Sequence, residues 1–235
     1  MRFYRVSISK KAQRDMAFIM FHDPNGILAA IFSALPLELK QHSIRVGAVA
    51  GVIAENMPDH LIPEGMTRWE YANAVRYGGF YHDIGAYLSY NQWAEYPVSG
   101  KNILERELNQ RLVREDIRRV ILQTVGCAGE YCDGNGYPGR LRGDEIPLHA
   151  GICAISDAMD MIIDARRRFY NGAVDAAVKY VEEQTGIIFL PEAAKALSEA
   201  RRRIFEMYWS WKISPPLWNY NDLKPVSRPY EKIIG

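Results

Sequence analysis

Cysteine is scarce in this chain: Cys127, Cys132 and Cys153 are the only three in 235 residues. A small, odd number excludes a disulfide framework and points to a reducing compartment, so the expected location is cytoplasmic. Net charge is scarce too. The 29 Lys and Arg nearly balance the 28 Asp and Glu, leaving +1. That balance gives no long-range pull toward a nucleic-acid polymer or an anionic membrane. Long apolar runs are missing. None approaches the roughly 20 residues that span a bilayer, and the most apolar stretch, residues 27–39, is interrupted by Pro36 and Glu38. The N-terminal MRFYRVSISKKAQRD carries charge with no secretory-type apolar stretch after it. Repeats and low-complexity segments are also absent. What remains is 48% hydrophobic and 24% charged, the balance of an ordinary globular protein able to bury a sizeable core.

From about Ile27 onward the pattern is helical. Val46, Val49, Ala50 and Ile53 recur at three- and four-residue spacing, predicting an amphipathic helix over 41–56. Pro58 and the 63–65 turn end it. Thr67 followed by Glu70 fits a capping box opening the next helix, which should deliver His82 and Asp83 near its end. Residues 97–100 read as a turn before a short helix at 101–108, and 114–125 as a further helix. Residues 126–147 are rich in Gly, Asp and Pro and must be a loop. Helices over 147–168, 173–183 and 191–208 complete the set. The expected organisation is an N-terminal arm (1–26), a helical domain (27–210) and a C-terminal tail (211–235).

Within this framework a few residues could hold a metal. Glu38 and His42 are four apart, so one helix face carries both. His82 and Asp83 are adjacent and diverge by about 100° on a helix, which lets them grip one ion or bridge two. Asp157 lies in the apolar run 154–160, where a carboxylate is expensive to bury without a cation or donors. Asp160 follows one turn later on nearly the same face. Mixed imidazole and carboxylate ligands suit a divalent first-row ion (Mn, Fe, Co, Ni or Zn) without choosing among them. Plainer readings stand beside these: a solvated Glu38, a half-buried His42, an Asp83 that merely opens the turn at Gly85. Cys127 reads as a small buried hydrophobe, and His22, His60 and His149 as ordinary surface or helix-end histidines.

The order His42…His82-Asp83…Asp157, with the loop Asp133-Gly134-Asn135-Gly136-Tyr137-Pro138 between its last two members, resembles the HD superfamily of metal-dependent phosphohydrolases. The Gly-Tyr-Pro element resembles the HD-GYP branch, whose active members hydrolyse cyclic di-GMP. The likeness spans roughly residues 35–200. It implies an all-α fold, an HD-domain helical bundle with a Gly/Pro-rich GYP loop beside the metal. It implies His42, His82, Asp83 and Asp157 as metal ligands, with Glu38 as an additional one and Asp83 as the catalytic carboxylate. Asp160 becomes an outer carboxylate, and Arg166, Tyr137 and Arg140 become substrate contacts. The Gly-rich loop reads chiefly as a rigid scaffold, with Gly134, Gly136 and Gly139 free to adopt positive φ.

The sequence departs from the family pattern at specific places. Ala86 stands where the family has Lys after HDIG. Tyr96 stands where a His precedes a Pro-x-x-Gly turn. Ala128-Gly129-Glu130 stands where the family has His-His-Glu, and Phe169 where it has a further Lys. The missing imidazoles belong to the second and third metal positions, so one ion is the expectation. The lost Lys removes charge that would face a phosphate. The expected protein is therefore an HD-GYP-like phosphohydrolase with one divalent transition metal and weak or altered activity. Its partner would be a nucleotide or other phosphate ester, cyclic di-GMP included; a homo-oligomer is compatible with this. The alternatives are a mononuclear HD phosphatase or nucleotidase, and a non-catalytic nucleotide-sensing or protein-interaction module.

Overall fold

The computed structural model describes residues 26–89, 92–108, 113–165 and 172–212. The expected N-terminal arm before Gly26 and the expected tail beyond Lys212 lie outside the described residues, as do Arg166 and Phe169. The described part is all-α, with helices α1 (Ile27–Ala34), α2 (Leu37–Glu55), α3 (Arg68–Tyr81), α4 (Ala86–Ser89), α5 (Tyr96–Glu107), α6 (Glu115–Gly126), α7 (Leu148–Ala165), α8 (Ala173–Glu183) and α9 (Pro191–Lys212). Among these residues no helix is long and apolar enough to cross a membrane.

Pro36 separates α1 from α2, since it lacks the N–H that would continue the first helix. Thr67 and Glu70 form the expected reciprocal capping box at the start of α3: the Glu70 N–H donates to Thr67 Oγ1 at 3.2 Å and the Thr67 N–H to Glu70 Oε2 at 2.8 Å. The apolar stripe of α2 is fully inside, with Val46, Val49, Ala50 and Ile53 all at 0% exposure. It packs along α3, while α6, α7 and α9 close the core around this pair.

The α2–α3 crossing sets the position of the site. A Cβ on Gly79 would lie 3.0 Å from Gly47 Cα, and one on Gly47 would lie 2.8 Å from Arg76 O. Backbone meets backbone there, so neither position accommodates a side chain. That contact brings His42, on the turn of α2 before Gly47, beside His82 at the C-cap of α3.

Two expectations need correction. Residues 97–100 are not a turn: α5 runs straight through them from Tyr96. Pro97 sits in the first helical turn, where its missing N–H is no loss. Gly100 serves packing instead, because Gly85 and Gly100 approach so closely that a Cβ on Gly85 would lie 2.7 Å from Gly100 N. The last helix also continues past Tyr208 to Lys212.

Candidate metal centre

His42 from α2, His82 and Asp83 from the end of α3, and Asp157 from the middle of α7 are all buried. One ligand atom each from His42, His82 and Asp157 lies within 4.8 Å of the others. Asp83 Oδ2 borders the same point, 3.3 Å from His82 Nε2 and 3.8 Å from His42 Nε2. His42 Nε2 is also 3.0 Å from Asp157 Oδ1. That contact is off the line of a hydrogen bond, and both Nε2 atoms are buried without one.

The other ring nitrogens explain which way the imidazoles face. His82 Nδ1 lies 2.8 Å from Gly79 O, which can only accept, so the ring proton sits on Nδ1. His42 Nδ1 lies 2.8 Å from Asp160 Oδ2. Both rings therefore turn Nε2 toward the cluster. Two buried Nε2 atoms without hydrogen bonds beside two carboxylates form a donor set that fits a divalent ion, His42 giving up its Nε2 proton to ligate. The four-residue core, His42, His82, Asp83 and Asp157, comes together as the sequence suggested. Burial alone would lower the His42 pKa, but Asp157 and Asp160 outweigh it and raise it to about 9. The carboxylates around His42 favour positive charge, which a divalent ion could supply in place of a proton.

Behind His42 lies a network the sequence revealed only in part. Asp160 is at 0% exposure and accepts from Arg45 Nε (2.6 Å), Arg45 Nη2 (2.8 Å) and Tyr208 Oη (2.7 Å) as well as His42. Burial opposes its charge; the Arg45 guanidinium and the hydrogen bonds outweigh that and hold it well below the usual carboxylate range. Burial and the charge of Asp160 push Tyr208 up, so its hydroxyl stays a donor. Arg45 follows His42 by three residues on α2, a spacing that could have flagged it. Tyr208 lies on α9 with no local signal at all.

A cleft opens over the cluster. His82, Asp83 and Asp157 line it together with Trp93, Tyr96, Ala128, Gly129, Tyr131 and Tyr137. Tyr96, Ala128 and Gly129, which occupy the positions of the family's further imidazoles, thus face the same space as the retained ligands. Tyr96 also packs with Leu35 and Ala86 in a small apolar cluster flanked by Trp93. Ala86 and Tyr96, standing where the resemblance places a Lys and a His, thus lie in one apolar cluster.

Glu130, the retained member of the triplet, organises the loop. It is buried, and its carboxylate accepts from the Gly139 N–H at 2.5 Å and the Leu141 N–H at 3.0 Å. The expected positive φ is found at Gly134 (81°) but not at Gly136 or Gly139. Gly136 is required by contact instead: a Cβ there would lie 2.2 Å from Tyr131 N. The left-handed residue after it is Arg140, with φ 55°. Arg140 is exposed and not among the cleft-lining residues, whereas Tyr137 lines the cleft. Glu38 is half-buried in the first turn of α2 and outside the converging group, and Arg166 falls outside the described residues. Cys127 is half-buried against the core, and burial pushes its thiol up, away from a ligating thiolate. His60 is exposed, while His149 is buried near the start of α7.

The chain is similar to several cyclic-nucleotide phosphodiesterases. It is 39% identical over 75 residues to the cyclic di-GMP phosphodiesterase response regulator RpfG of Xanthomonas campestris, covering 32% of this chain and 20% of that protein. It is 24% identical over 187 residues to a cyclic di-GMP phosphodiesterase of Thermotoga maritima, covering 73% of this chain and 47% of the other. Over 119 residues it is 31% identical to 3′3′-cGAMP-specific phosphodiesterase 2 of Vibrio cholerae, covering 48% and 21% respectively. The chain thus spans less than half the length of each of these relatives. The sequence profile of the HD domain family matches residues 39–162, more than half of the 235-residue chain and the stretch that contains every member of the metal cluster, and the chain belongs to that family.

Proposed function

We propose that this chain is a metal-dependent phosphohydrolase that works with one divalent transition ion and acts on a nucleotide phosphate ester. The observation that carries the reading is the pair of buried, unbonded Nε2 atoms of His42 and His82 facing the carboxylates of Asp83 and Asp157. His42, His82, Asp83 and Asp157 would hold the ion, which when bound would polarise a phosphoryl oxygen and lower the pKa of a water. Mn, Fe, Co, Ni and Zn all suit these donors. Asp160 keeps the His42 proton on Nδ1 and so keeps Nε2 available. Asp83, at the edge of the converging group, is the carboxylate best placed to accept a proton from a nucleophile. Glu38 stays outside that group, and the aromatic and small residues at 96, 128 and 129 offer no nitrogen for a second ion.

The similarity to cyclic-dinucleotide phosphodiesterases supports a nucleotide substrate. The single-ion site, with Ala86 where family members carry Lys, supports slow turnover of cyclic di-GMP, because electrostatic terms dominate phosphoryl transfer. The reading has a direct test in the metal-loaded protein. Hydrolysis of cyclic di-GMP is expected to be slow or undetectable, with activity on a simple phosphomonoester that disappears in Asp83→Ala. Rapid cyclic di-GMP turnover, lost in Asp83→Ala, contradicts the one-ion reading. Ala128 and Gly129 in the cleft wall favour one alternative, a module that binds the nucleotide without cleaving it; ion binding with no hydrolysis of any phosphate ester would establish that instead.

A further inference from the structure

The last helix meets the metal centre through one hydroxyl group. Leu197, Ala200 and Ile204 pack α9 into the core, which seats Tyr208 beside Asp160 of α7 with its ring buried. Four donors share the Asp160 carboxylate, two on each oxygen. Oδ2 accepts from His42 Nδ1 and Arg45 Nη2, both at 2.8 Å. Oδ1 accepts from Arg45 Nε at 2.6 Å and from Tyr208 Oη at 2.7 Å. The Arg45 fork ties the carboxylate to the guanidinium, but the two can rock together on a long side chain with several rotatable bonds. Tyr208 grips Oδ1 from a different helix, on a stiff ring with two side-chain torsions. A displaced Oδ2 would turn the His42 ring with it. Nε2, on the far side of that ring, is the atom that faces Asp83 and Asp157.

Resting on the one-ion reading above, we infer that Tyr208 is a positioning residue for the ion: its hydroxyl fixes Asp160, Asp160 fixes His42 Nδ1, and His42 Nε2 is thereby aimed at the other ligands. The last helix is then part of the metal centre without supplying a ligand. The linkage is reciprocal, so a bound ion also holds the end of α9 in place. A second tie between α9 and α2 serves as a control. Exposed Arg203 pairs with half-buried Glu55. Removing that pair loosens the same helix on its neighbour without touching Asp160, and an exposed pair of this kind contributes little.

Co²⁺ is the probe for the test, because it suits these donors and its visible absorption reports the arrangement of its ligands. The full chain and two variants are titrated with Co²⁺ in competition with a chelator of known affinity. Tyr208→Phe keeps the ring and removes only the hydroxyl. It is expected to bind Co²⁺ about 10-fold more weakly than the parent, the low end of what a partner behind a ligand contributes, with displaced absorption bands. Arg203→Ala is expected to match the parent in both readouts. Tyr208→Phe with the parent's affinity and spectrum overturns the inference and leaves the one-ion reading standing. An equal loss in Arg203→Ala also overturns it, since the effect would then belong to helix packing. A parent chain that binds no Co²⁺ fails the one-ion reading, and the inference with it. Hydrogen exchange on the parent adds a test that needs no variant. Co²⁺ is expected to slow exchange over the last two turns of α9 more than across α8, and equal slowing in the two overturns the inference.

Discussion

Asp160 shows what a single residue does in this protein. It has no place in the converging ligand set, yet it takes hydrogen bonds from His42, Arg45 and Tyr208 in a fully buried position. Removing its charge while keeping its shape, in Asp160→Asn, leaves Arg45 without its buried counter-charge and a single amide oxygen for which His42, Arg45 and Tyr208 compete. Ion affinity is expected to fall about 10- to 100-fold, measured by competition against a chelator of known affinity; an unchanged affinity would show that His42 is oriented by something else. His149 illustrates the opposite effect. Burial, with the Arg119 charge, lowers its pKa from 6.5 to about 3. Its Nε2 lies 3.1 Å from Gln123 Oε1. Between those values the unfolded chain binds the proton and the folded one does not, so stability drops as pH falls through 6.5, by up to about 1.4 kcal/mol per pH unit. The dependence of melting temperature on pH between 6.5 and 4.5 should be shallower in His149→Gln than in the parent. Identical slopes in the two proteins would remove this histidine from the account.

At the scale of elements, close contacts between backbones do much of the positioning. α2 and α3 touch at Gly47 and Gly79, and the GYP loop touches itself at Gly136 and Tyr131. Substituting Gly136→Ala places a methyl group against backbone that cannot swing aside. It is expected to destabilise the fold by about 1–3 kcal/mol, read from denaturant unfolding; a variant as stable as the parent would show that the loop is free to shift. The sequence identified this glycine but for another reason, since a Gly-rich loop suggests positive φ, whereas spatial crowding leaves no mark in local sequence. The capping box was legible because Thr67 and Glu70 lie within one turn, and the candidate ligands were legible from the His…His-Asp…Asp order that resembles the HD family. The helix through Pro97 and Gly100 was not, because its turn-like residues are overridden by packing against Gly85. Tyr208 was invisible for a similar reason: its partner Asp160 is reached only through the fold.

For the molecule as a whole, the cleft is lined by His82, Asp83 and Asp157 of the candidate metal cluster and otherwise by apolar and aromatic residues. Ala86 and Tyr96, standing where the resemblance places a Lys and a His, pack together with Leu35. These departures from the family pattern are consistent with each other. At Gly129 the Tyr137 ring fills the space, where a Cβ would lie 2.5 Å from it. The sequence showed each substitution separately; only the fold showed that Tyr96, Ala128 and Gly129 line the same cleft. The central claim is therefore one ion per chain, held by His42, His82, Asp83 and Asp157. Its most direct test is elemental analysis of purified protein after loading and dialysis, alongside His82→Ala. The account expects one equivalent of a divalent transition metal in the parent and none in the variant. Two or more stoichiometric ions, or one ion retained by His82→Ala, would contradict it.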